Sequence, residues 1–176
     1  LLIDKGGDAL RRVLQTKIDS SPPPSTLNSL LNAHNMSLQR LLRSSVINAT
    51  QWNLLFPASG SPDSKNFDIT LLTILLRNIC GLPSPVSGWS DMPSVSDTSV
   101  SAEILRIKII RNEVYGHISS AQIDNTKFET LWQEISKPLI TLGIPQQEID
   151  ELKKAPLSPE EENYIQELKE WKELED

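Results

Sequence analysis

The chain has 176 residues, 38% of them hydrophobic, enough for one sizeable core. Its net charge of -6 is uneven: from Gln146 onward four lysines face eleven acidic residues, whereas up to Pro145 thirteen Lys/Arg face twelve Asp/Glu. A body that is close to neutral excludes a broad basic footprint for long nucleic acid, so any polyanion site must be local, and no apolar run nears the roughly 18 residues that a membrane-spanning helix needs.

The chain opens on Leu1 rather than Met, with no basic-then-apolar leader, and is expected to be a domain of a longer protein. Residues 8–18 carry Leu10, Val13, Leu14 and Ile18 at helical spacing, and Ser20-Ser21-Pro22-Pro23-Pro24 stops that helix. Ser25 or Thr26 is the expected cap of a second helix, with Leu27, Leu30, Leu31, Leu38, Leu41 and Leu42 along one stripe. His34 falls on that stripe without charged company and reads as structural. In NATQWNLLFP, Thr50 is the expected cap of one or two turns that end at Pro57, and ASGSPDSKN reads as a loop.

FDITLLTILLRNIC, Phe67 to Cys80, is apolar nearly all round, which predicts a helix at the centre of a bundle. Its Ile and Thr content also fits a buried strand, but fourteen residues is long for one. The lone Cys80 cannot form an internal disulfide and favours a reducing, cytoplasmic setting. Gly81 ends the helix, and residues 82–98, with three prolines and no regular period, form an irregular loop. The next helix is expected from about Ser99 through RIKIIRNEVYGHIS. Another follows with a capping box, Thr126 to Glu129, and a stripe of Phe128, Leu131, Trp132, Ile135 and Leu139. In the tail, Ser158-Pro159-Glu160-Glu161 signals a charged helix with Tyr164, Leu168 and Trp171 on a narrow stripe.

These elements predict an all-α fold: a compact helical bundle over residues 1–144, and an acidic linker helix over 145–176 that leads to a further domain. No Cys/His cluster suits zinc, no Gly-rich loop suits a phosphate cofactor, and neither a metal nor a cofactor is expected. Arg77-Asn78 reads as structural or interfacial, and Trp52, Trp89 and Trp132 as core or loop anchors.

One residue conflicts with its setting. At about 100° per residue, Val100, Ile104, Ile107, Ile110 and Val114 fall on one arc, with Arg111 near its middle. A guanidinium there needs a carboxylate, a carbonyl or a ligand phosphate. Glu103, or Glu113 of a neighbour, is one candidate partner, and an anion in a partner-facing cleft is the other. His117 lies about 120° away on a straight helix, but Gly116 is a natural terminator past which the chain can swing His117 back.

Arg111-Asn112-Glu113-Val114-Tyr115-Gly116-His117 resembles the Arg-to-His signature of HEPN domains. Together with WNLLFPASG, FDITLLTILLRNICGL, Gly88-Trp89 and Ser96 to Ser99, it resembles the animal branch named after DAZ-interacting zinc-finger protein, over residues 8 to about 143. That branch occurs in multidomain signalling and innate-immunity-like proteins. The resemblance implies a bundle of HEPN type that forms a homodimer through the motif face, with RNA as a candidate partner. It also implies that active members are metal-independent endoribonucleases, with His117 as general acid or base and Arg111 on the scissile phosphate. Asn112 would help to orient the motif, with Glu113 and Tyr115 in support. A non-catalytic dimerisation or scaffold module is the alternative that it leaves open.

Overall fold

The computed structural model describes residues 2–23, 25–117 and 125–155, and for residues 2, 3 and 115–117 it describes the backbone only. Among the described residues every regular element is helical: α1 (Leu2–Asp19), α2 (Leu27–Ala33), α3 (Asn35–Arg43), α4 (Ala49–Leu55), α5 (Ile69–Asn78), α6 (Val100–His117), α7 (Asn125–Thr141) and α8 (Gln146–Lys154), with a 3-10 turn at Ser64–Asn66. The all-α expectation holds. The chain divides into two compact units, one up to Pro145 and one from Gln146.

In the first unit α1 packs against α5, α6 and α7, α6 also packs against α5 and α7, and α2 lies against α1 and α3. Asp68 caps α5 by accepting from the Leu71 amide at 2.8 Å, and Ile69, Leu71, Leu72, Thr73, Leu75 and Leu76 are all buried, so α5 is the enclosed helix that its composition predicts. Gly6 sits where α1 crosses its neighbours. A Cβ there would meet Ile69 Cδ1 at 3.1 Å and Ile107 Cγ2 at 3.2 Å, so a side chain at position 6 would make both isoleucines shift. Arg11 fixes where α5 begins: its Nε donates to the Ser64 carbonyl at 2.9 Å, and Nη2 to that of Phe67 at 3.0 Å.

The single helix expected after Thr26 is two. Thr26 does cap it, in a reciprocal box with Ser29, but the helix stops at Ala33 and restarts at Asn35. His34 is the joint, and its Nδ1 lies 3.0 Å from the Leu30 carbonyl oxygen. The apolar stripe crosses the break, with Leu31 and Leu38 both buried. α4 is capped by Asn48, not Thr50, because Asn48 Oδ1 accepts from the Gln51 backbone N–H at 2.8 Å and Gln51 Oε1 accepts from the Asn48 backbone N–H at 3.0 Å.

α6 departs from the expected stripe. Ser101 to Leu105 are buried in succession and Val100 is 43% exposed, so its first half is enclosed all round rather than on one arc. α7 begins at Asn125, which puts Thr126 inside the first turn instead of at the cap. Its C-terminal half enters the core through Ile135 and Leu139, while Phe128 is 41% exposed against Trp132, with ring centroids 5.6 Å apart. Gly143 at φ +99 closes α7, with its amide on the Ile140 carbonyl and the Ile144 amide on that of Leu139.

In the second unit, α8 carries Gln146–Asp150 and Gln147–Glu151 side-chain hydrogen bonds at 2.9 Å each. The start signal at Ser158 to Glu161 and the Tyr164, Leu168, Trp171 stripe lie outside the described residues. No helix among the described residues is long and apolar enough to cross a membrane.

Candidate functional site

α6 is anchored at its start. Ser99 Oγ accepts from the Ala102 amide at 3.2 Å, and Asp97 Oδ1 accepts from the Ser99 amide at 3.1 Å. Hydrogen bonds from the Ser99 hydroxyl and amide, then the Val86 amide, hold the Asp97 carboxyl below the usual carboxylate value, with the Arg106 charge adding to them. Further along, Arg106 Nη1 lies 2.9 Å from Glu103 Oε2, while its Nη2 donates to the carbonyls of Ser94 and Asp97. Ser101 donates to the Pro83 carbonyl, and Arg77 stands over the Trp89 ring at 5.6 Å. The loop of residues 82–98 is thus fastened to the end of α5 and the first half of α6.

Arg111 lies at the other end of this helix pair. Its Nη2 donates to Thr70 Oγ1 at 2.7 Å, and its Nε is buried with no acceptor. Thr70 stands in the first turn of α5, two residues past the Asp68 cap. Of the expected acidic partners within the chain, Glu103 is taken by Arg106, and Glu113 of the same helix is exposed on another face. Among the described residues no carboxylate pairs with Arg111, which is held by a neutral hydroxyl at the half-buried edge of the bundle.

The remaining motif residues distribute around α6. Asn112 and Glu113 are exposed, about 100° and 160° from Arg111 on the helix. Tyr115 falls about 40° from Arg111 by backbone position. Gly116 does not end the helix, which continues to His117, so the swing that would return His117 to the Arg111 face does not occur there. The two positions remain about 120° apart, while Glu113 and His117 are one turn apart and share a face. Thr70 escaped the sequence reading: it sits in a helix that reads as wholly apolar, and only the misplaced Arg111 signalled that some partner was needed.

The sequence model of the DZIP3/hRUL138-like HEPN family matches residues 24–165. The E3 ubiquitin-protein ligase DZIP3 of Homo sapiens is 31% identical over 161 residues, covering 89% of this chain and 13% of the human protein. DZIP3 of Mus musculus is 30% identical with the same coverage. This chain therefore spans a small part of the curated relatives that it matches, both of them much longer proteins. No solved structure matches it. The motif and its helical setting thus lie inside a stretch matched by one family, and the chain belongs to the DZIP3/hRUL138-like HEPN domains.

Proposed function

We propose that this domain is a dimeric, metal-independent endoribonuclease for single-stranded RNA, with Arg111 and His117 as its working pair. The observation that carries the reading is the state of Arg111: a half-buried cation held by the Thr70 hydroxyl, with no carboxylate paired to it among the described residues. A phosphate is the anion that a guanidinium edge fits best, by charge-assisted paired hydrogen bonds.

Cleavage through the RNA 2′-hydroxyl needs a base on that hydroxyl, an acid on the leaving oxygen and positive charge on the developing phosphorane. Arg111 supplies the charge. His117 supplies proton transfer, and a twofold dimer provides a second copy for the opposite step. Asn112, Glu113 and Tyr115 support the arrangement, with Glu113 one turn before His117. The arrangement within the much longer relatives favours a module that acts inside a larger protein.

A second reading is a non-catalytic dimerisation or scaffold module. The continuity of α6 through Gly116 favours it, because one protomer alone does not bring Arg111 and His117 to one face. The test is cleavage of a labelled single-stranded RNA in EDTA by the wild type, His117→Ala and Arg111→Ala, with the mass of each measured in solution. Cleavage by the wild type, lost in both variants while the dimer persists, supports the ribonuclease. Three equally inert dimers would overturn it in favour of the scaffold.

A further inference from the structure

We infer that Thr70 is a positioning residue for Arg111, fixing the guanidinium that the proposed ribonuclease uses; the inference rests on that reading for its catalytic meaning but not for its geometry. Arginine is a long side chain whose rotamer freedom works against any one pose. Here a side-chain hydrogen bond, 2.7 Å from Nη2 to Thr70 Oγ1, ties it to a residue 41 positions earlier in the chain. The anchor is rigid. Thr70 is in the first turn of α5, whose start is set by the Asp68 cap and by Arg11 gripping the carbonyls just before it.

The hydroxyl also has a chemical advantage over a carboxylate. It accepts one N–H without neutralising the cation, so the full charge remains for an anion. Acid in its place would pair with Arg111 and compete with a phosphate.

The test uses Thr70→Val, which removes the hydroxyl at nearly constant volume, and Thr70→Ser, which keeps it. Thr73→Val is the matched control: Thr73 is on the same helix, and its hydroxyl donates to the Ile69 carbonyl of its own helix. Two quantities are read in the 176-residue chain. One is the Arg111 side-chain 15N–1H signal, assigned by its loss in Arg111→Lys, which reports restricted rotation of the guanidinium. The other is RNA cleavage, where a displaced phosphate ligand should lower kcat by about tenfold or more with little change in KM.

The expected result is that Thr70→Val frees the Arg111 signal and lowers kcat, while Thr70→Ser and Thr73→Val keep both. An Arg111 signal that stays restricted in Thr70→Val overturns the inference whatever happens to the rate. An inert wild type would sink the ribonuclease reading alone, because the Arg111 signal still decides whether Thr70 holds it.

Discussion

Arg106→Met should be among the most damaging single substitutions in the bundle. Arg106 lies 2.9 Å from a Glu103 carboxylate whose side chain is 3% exposed, and the same guanidinium holds the carbonyls of Ser94 and Asp97. Removing the cation leaves a buried carboxylate unpaired, at about 3–5 kcal/mol, and frees two loop hydrogen bonds of about 0.5–1.5 kcal/mol each, which overlap in part with the first effect. A loss of roughly 4 kcal/mol corresponds to a fall in Tm of roughly 8–16 °C for a domain of this size. Glu103→Met should cost less, because Arg106 is more exposed than Glu103, at 14% against 3%, and keeps its two carbonyl partners. The double variant Glu103→Met/Arg106→Met should then be more stable than Arg106→Met alone, since no buried charge remains. Urea and thermal melts of the three variants decide the matter. A single Arg106→Met within about 1 kcal/mol of the wild type, or a double variant weaker than it, would refute the buried-pair argument.

Two smaller perturbations address packing and titration. Gly6→Ala would press a Cβ on Ile69 and Ile107 where α1 crosses α5 and α6, at a cost of about 1–3 kcal/mol that a helix-propensity gain of about 1 kcal/mol offsets in part. A urea melt should therefore show a net loss of up to about 2 kcal/mol; a midpoint raised by the substitution would mean that the crossing relaxes freely. Burial pushes the Cys80 thiol up to about 11, with Lys17 acting weakly in the opposite direction, so alkylation at pH 8 should be roughly 100-fold slower in the native protein than in urea. Because the folded state favours the neutral thiol, its contribution to stability is full below pH 9 and is lost as pH rises through about 11. Equal alkylation rates at pH 8 would contradict this.

The helices that sequence reading located best are those whose signals are redundant. α5 has an acidic cap, an apolar surface all round and a glycine at φ +64 shortly after its end, and each points to the same segment. Joints decided by one local hydrogen bond were harder. Nothing in the stripe from Leu27 to Leu42 marks His34 as a break, because the break depends on how its ring and amide meet the Leu30 carbonyl. Asn48 and Thr50 are both good caps, and the choice rested on Gln51 lying three residues after Asn48. The loop at residues 82–98 was legible as irregular, but its attachment was not: the arginine that fastens it, Arg106, reads as an ordinary charge until Glu103 is known to be buried beneath it.

The candidate site was legible by half for a related reason. Arg111 stands out because a charge in an apolar run demands a partner, and that demand is local. The partner is not local, since Thr70 comes from the opposite end of the sequence separation between two helices that meet only in the fold. Gly116 misled in the other direction. A glycine inside a helix costs about 1 kcal/mol against alanine, which packing readily overrides, and α6 continues through it. The consequence for mechanism is geometric. Six residues along a straight helix advance about 9 Å and turn to a position about 120° away, so the backbone positions of Arg111 and His117 lie on different faces of α6. The proposed cleavage needs two proton transfers and each chain carries one motif histidine, so a second copy of the chain supplies the second, and a stable monomer with full activity would be incompatible with the proposed chemistry.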